Sequence, residues 1–211
     1  MAVVTDAYAT AEEYRARSTK TTTGDDADID EQLKAVSRVI DQECRRFFTI
    51  DAEAVTRLYD GNGERVLWLP DDIATATGLI VKVDLNGDYA FGGANETLTI
   101  DTHFWLGPQN ADKGAEVRPW EFLEVHPSNT VLSAWPEQRR SVQVTAKFGW
   151  LVVPDGIREA TCAITRQLRD MQEAGFTLTL ENIDAAIRLS PQAAGILKDI
   201  KKAYSRKVLA F

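Results

Sequence analysis

The side chains able to do chemistry are few and scattered. The two histidines, His103 and His126, have no second His or Cys at the short spacing of a zinc site. Each falls in or at the end of a segment that reads as strand, so both read as half-exposed strand residues. Asp84, Asn86 and Asp88 alternate as the first ligands of a calcium loop do. The following glycine and the distal glutamate of an EF-hand are missing, and Gly87 sits at the wrong step. The segment therefore reads as a turn between strands, with an ion site as the alternative. Asp71-Asp72 could pair as acid and base, but they follow Pro70 and read as the end of a strand. Gly61-Asn62-Gly63 lies inside a hairpin pattern, not between a strand and a helix, so it lacks the setting of a phosphate loop. No G-x-S-x-G elbow occurs. An enzyme built on paired carboxylates would need a nucleophile, a base and an orienter nominated together, and no such set exists. The chain is read as a non-enzyme with no catalytic, cofactor-binding or metal residue. Cys44 and Cys162 fall in helical patterns on or near apolar faces and read as buried free thiols.

The five tryptophans are Trp68, Trp105, Trp120, Trp135 and Trp150. All lie in a β-like region or at its exit. Most are expected in the β core. A small module cannot easily bury five indoles, and Trp is enriched at the centres of protein interfaces. Trp68, Trp105, Trp120 and Trp135 are the candidates for contacts between subunits.

The elements that carry these residues change character along the chain. Thr10 and Glu13 form a capping box opening a short helix to about residue 17. A polar linker occupies residues 18–28. Asp28 and Glu31 form a second box, and Ile29, Leu33, Val36, Ile40, Cys44 and Phe47 lay one apolar stripe along a helix over residues 29–47. From residue 55 to 150 the period becomes two. Strands are expected over residues 55–59 and 65–69, joined as a hairpin by Asp60-Gly61-Asn62-Gly63, then over 78–84, 97–106, 120–126 and 141–148. Helix returns at Pro154, with Ile157, Thr161, Ile164, Leu168 and Met171 as its stripe and Gly175 as its stop. Residues 176–189 are ambiguous: residues 177–180 alternate like a strand, and residues 181–189 fit a short helix. Ser190 and Pro191 then cap a helix to about Tyr204, and the end, SRKVLAF, is disordered or stored on a neighbour.

The matched stripes imply an α+β fold: a helical bundle scaffold with an inserted small antiparallel β module, then a C-terminal helix plus extended tail. The parts are residues 1–50, the inserted module 51–152, a scaffold helix and connector 153–189, and a C-terminal helix and basic tail 190–211. No apolar run is long enough to span a membrane, and the N-terminus lacks the basic start and apolar core of a secretory signal. Net charge is −8, a poor balance for gripping nucleic acid. It is uneven: residues 1–31 carry eight acids and three bases, and residues 195–211 five bases and one acid. Ends of opposite sign favour head-to-tail contact between copies, or docking of the basic end on an acidic partner; solvated helix faces are the plainer alternative.

The order of several short motifs resembles the head-to-tail adaptor (head–tail connector) family of long-tailed bacteriophages, particularly those of actinobacterial hosts. The likeness runs over roughly residues 8–170. It starts with Tyr8-Ala9-Thr10-Ala11-Glu12-Glu13-Tyr14 and the helix end from Ile40-Asp41 to Arg46-Phe47. Tyr59-Asp60-Gly61 and Leu69-Pro70-Asp71-Asp72-Ile73 follow, leading into Thr77-Gly78-Leu79. It closes with Trp135-Pro136, the strand Val142 to Trp150, and Val153-Pro154-Asp155-Gly156-Ile157-Arg158-Glu159-Ala160. Ala146 stands where the family pattern has Gly, which implies a less kinked strand.

The resemblance implies a structural subunit of the virion neck, assembled in the host cytoplasm. Copies would form a ring, typically a dodecamer, docked under the portal protein. Its other side would receive the head-completion (stopper) or tail-terminator protein. Genomic DNA would pass through the ring without sequence-specific binding, and an acidic surplus near the bore would keep it from sticking. No membrane is involved. The terminal helix and tail are expected to dock onto the portal, with Lys201, Lys202, Tyr204, Arg206, Lys207, Val208, Leu209 and Phe211 as contacts. The alternative is a non-viral β-rich module binding a ligand, such as a carbohydrate, or a protein. Exposed tryptophans suit that reading; the two matched helical stripes are left unexplained by it.

Overall fold

A computed structural model describes residues 7–18, 25–177, 179 and 182–206. Among them the order is α1 (Ala11–Ala16), α2 (Asp26–Cys44), β1 (Val55–Tyr59), β2 (Val66–Ile73), β3 (Ile80–Val83), β4 (Thr97–Leu98), β5 (Phe104–Gly107), β6 (Trp120–Val125), β7 (Val142–Ala146), α3 (Asp155–Glu173), α4 (Ile183–Leu189) and α5 (Pro191–Tyr204). The fold is α+β. Met1–Phe48 with Val153–Phe211 make a helical unit, and Thr49–Val152 make a β unit.

In the helical unit, α1 opens on the expected capping box. The Thr10 hydroxyl accepts the Glu13 N–H at 3.1 Å, and the Glu13 carboxylate accepts the Thr10 N–H at 2.9 Å. Helix α2 starts earlier than expected. Asp28 is not its cap but lies exposed in the first turn, where acid suits the positive end of the helix. Asp25, the residue before the helix, gives its carboxylate to Arg169 of α3, and Asp26 pairs with Arg15; these ion pairs hold the entry in place of a side-chain cap. The helix also stops earlier, at Cys44. Arg45 turns left-handed at φ 54° and returns its N–H to the Asp41 carbonyl. That turn swaps two neighbours. Phe47, expected on the stripe, is 48% exposed, and Phe48 is buried in its place. The Phe48 ring meets Tyr8 and Tyr204 edge-on, each at 5.7 Å between centroids.

Pro154 caps α3, and Ile157, Thr161, Ile164 and Leu168 are buried along it. At its end Gly175 adopts φ +95°, as only glycine does readily. Its N–H reaches the Gln172 carbonyl at 3.0 Å, and the Phe176 N–H reaches Met171 at 3.1 Å, a Schellman stop. Helices α2, α3 and α5 pack on one another, with α4 against all three and α1 against α2. Each apolar side chain so covered contributes about 1.5–3 kcal/mol. Ser190 caps α5 by accepting the Ala193 N–H at 3.3 Å, with Pro191 at the first helical position. The ambiguous segment is helical over Ile183–Leu189; residues 178, 180 and 181 lie outside the described set, as does the tail from residue 207.

The β unit is two antiparallel sheets, ordered β1-β7-β3-β4 and β2-β6-β5. One core lies between them, with Tyr59, Val81, Val83, Val142, Val144 and Ala146 from the first sheet and Leu67, Leu69, Phe104, Leu123 and Val125 from the second. The expected hairpin through Gly61 does not form. β1 and β2 belong to different sheets, because the turn is held by another loop: Gly61 N–H donates to Gln138 O at 2.9 Å, and Asp60 accepts the Arg140 N–H at 2.8 Å. The expected strand over residues 97–106 is also divided, β4 joining the first sheet and β5 the second. Among the described residues, no helix is long and apolar enough to cross a membrane.

Candidate interaction surface

The alternation of each strand sends one row of side chains into the β core and the other outward. In the second sheet Leu67, Leu69, Leu123, Val125 and Phe104 point in. The outward rows, read across β2, β6 and β5, are Trp68–Phe122–Gly107 and Val66–Glu124–Trp105. The Trp68 and Phe122 rings lie 4.5 Å apart, and Trp105 stacks edge-on against His126 at 4.4 Å. Gly107 makes room for this face: any Cβ there would collide with the Phe122 ring. Trp105 is 37% exposed.

The candidate tryptophans therefore part company. Trp68 and Trp105 share this outer face. Trp120 is half-buried and packs against the β core. Trp135, expected at a subunit contact, is instead a core residue: it is 1% exposed, and its indole N–H donates to the Leu123 carbonyl at 3.3 Å. Trp150 is buried as well. Phe122 and Glu124 were not singled out by sequence. A period-two reading of residues 120–125 contains them, but the neighbours that complete the face come from strands distant in sequence.

The loop after β3 holds the acidic group. Asp84, Asp88 and Glu96 bring carboxylate oxygens within 4.8 Å of one another. Glu96 lies beyond Gly92-Gly93, outside the spacing of the Asp84–Asp88 turn; the return of the chain beside β3, with Val83 N–H on Glu96 O at 2.8 Å, brings it in. Three carboxylates are hard-cation donors in type. Their oxygens are also staples of the loop: Asp84 accepts from the Gly87 and Tyr89 N–H groups and from Gln138, and Glu96 from the Gly93 N–H at 2.6 Å. Burial pushes the Asp84 carboxyl up, yet the backbone donors around it outweigh burial and hold it below the usual range. Asp71 and Asp72 form no pair for acid–base work: Asp71 takes the Tyr59 hydroxyl at 2.8 Å and Arg57, while Asp72 is buried. His103 and His126 accept backbone N–H groups of Thr99 and Ser128 through Nδ1.

In the helical unit the charged ends are largely used internally. Glu13 pairs with Arg158, and Arg17 with Glu159. Glu43 takes both Lys201, at 2.7 Å, and Arg188, at 2.8 Å; the hydrogen bond from Lys201 is the chief cause holding its carboxyl below the ordinary range. Of the C-terminal candidates, Tyr204 packs on Phe48 and receives Arg46 on its carbonyl at 3.2 Å. The Arg206 N–H reaches the Cys44 carbonyl at 3.3 Å. Lys202 is exposed, and Lys207, Val208, Leu209 and Phe211 lie outside the described residues. Cys44 and Cys162 are buried and free; burial raises their thiols to about 12 and about 11.

A chain of known structure shares this fold. It comes from the neck of an empty GTA particle computed with C6 symmetry, with a TM-score of 0.52 and 14% sequence identity. The match covers 95% of this chain and 91% of that one. No family model matches the chain, and no curated protein matches it.

Proposed function

We propose that this chain is a structural head-to-tail adaptor of a tailed phage: copies form a ring in the virion neck, joined to the portal on one side and to the stopper or tail-terminator protein on the other. What supports the reading is a fold likeness to a particle-neck chain that runs through both the helical and the β unit. A free-standing β-rich binding module would need the likeness in the β unit only. The ring encloses the path of the genome. Its β units carry fifteen acids and eight bases each, seven of the eight net negative charges of the chain, a balance that leaves passing DNA unbound.

The basic C-terminal end docks onto the portal. Tyr204 and Arg206 tie its root to the helical unit, so the portal contact begins at Lys202 and continues through Lys207, Val208, Leu209 and Phe211. Many copies acting together make a weak single contact strong. The test is a pull-down on purified portal rings with the full chain and with a variant lacking residues 207–211. Retention of the full chain and loss of the truncated one is expected; equal retention refutes the tail's role, and no retention of either refutes the adaptor reading.

A further inference from the structure

We propose that the two outer faces of the β unit are the two halves of a head-to-tail contact, the second sheet of one copy seating on the first sheet of the next. This rests on the ring reading and specifies its subunit contact.

The outer face of the first sheet is two complete rows, Thr56–Thr145–Ile80 and Leu58–Gln143–Lys82–Thr97. Ile80 is 46% exposed and Leu58 37%. The outer face of the second sheet is also two rows, Trp68–Phe122–Gly107 and Val66–Glu124–Trp105. Because both sheets turn their inward rows to one shared core, both of these faces point away from it. Each is apolar or neutral except for one charge, and the charges are opposite: Lys82 on the first, Glu124 on the second. The unit carries a net charge of −7, yet its acids are almost wholly kept off these rows. Charge depletion with aromatic enrichment is the composition of an interface core.

Two unlike outer faces on one unit give a heterologous contact, the kind that repeats around a ring. Like-to-like pairing of the second sheets would instead bring two Glu124 carboxylates together, and pairing of the first sheets two Lys82 ammoniums. Only the mixed pairing neutralises both.

Cysteine cross-linking of the full chain tests this. Ile80→Cys, Trp105→Cys and the double variant are treated with a bismaleimide, with wild type as control, since Cys44 and Cys162 are buried. The double variant is expected to give a ladder of two, three and more chains, and each single variant to remain at the wild-type level. Dimers from either single variant mean that like faces meet, and overturn the proposal. If light scattering shows oligomers of the double variant but no ladder forms, the pairing is wrong while the ring stands. A wild-type chain that forms no oligomer at any concentration, either alone or on portal rings, sinks both. Circular dichroism identifies a variant that fails to fold; Thr56→Cys with Val66→Cys, on the same two faces, then takes its place with the same expected outcomes.

Discussion

The hydroxyl of Tyr8 donates to the carboxylate of Asp41, thirty-three positions away, and accepts the Phe48 N–H at 3.0 Å. One phenol thus joins the segment before α1, the last turn of α2 and the chain just beyond it. The Tyr8 N–H adds a bond to the Ser37 hydroxyl at 3.0 Å. Tyr8→Phe keeps the ring contact with Phe48 and removes the hydroxyl. A buried N–H and carboxylate then lose a partner, at a cost of about 1–3 kcal/mol. Denaturant unfolding of wild type and variant reads the difference; equal midpoints would show that the network is not holding the unit.

The same carboxylate makes stability depend on pH. Burial raises the Asp41 carboxyl to about 7, against the opposing pull of the Tyr8 hydrogen bond and the Arg38 guanidinium. Its folded value lies above its unfolded one, so its contribution is full below about pH 4 and fades as pH rises towards 7. Glu43 and Glu159 run the other way: each is held low by a cation, so their contributions are lost as pH falls below the ordinary carboxylate range. Thermal melting is expected to peak between these limits and decline towards neutrality. Asp41→Asn should flatten the decline; an unchanged slope would assign it to other groups.

The tryptophans predict a contrast. Trp135→Ala empties a buried site and leaves the Leu123 carbonyl without its indole donor, a loss of about 3–5 kcal/mol. Trp105→Ala touches a half-open outer face and should cost under about 1.5 kcal/mol, by the smaller area it uncovers. Urea titrations of the two variants decide the matter, and similar losses would mean the burial difference is not felt.

Local patterns were the legible part of the sequence. The Thr10–Glu13 box, the stripe through Ile157 and Leu168, and the stop at Gly175 each depend on residues within a few positions, and each stands where periodicity and cap chemistry put it. What escaped was the choice of distant partners. Nothing near Gly61 says that its N–H is claimed by Gln138, so two strands that look like a hairpin part into different sheets. The exchange of Phe47 for Phe48 follows from one left-handed residue, Arg45, whose type gives no warning of it. The aromatic face was half visible, as Trp68 and Trp105, but Phe122 and Glu124 acquire meaning only from strand register.

The acidity of the β unit yields a further expectation. With seven of eight net negative charges on that unit, the full chain should leave duplex DNA unshifted in gels even at low salt, where phosphate contacts are strongest. A salt-sensitive complex would contradict a channel that lets the genome pass freely.

Electron micrographs of the purified chain mixed with candidate portal rings test the adaptor account most directly. Class averages are expected to show an added annular layer on one face of the portal, coaxial with its opening. Portals that remain bare at saturating concentrations of folded chain, across the candidates, would contradict it.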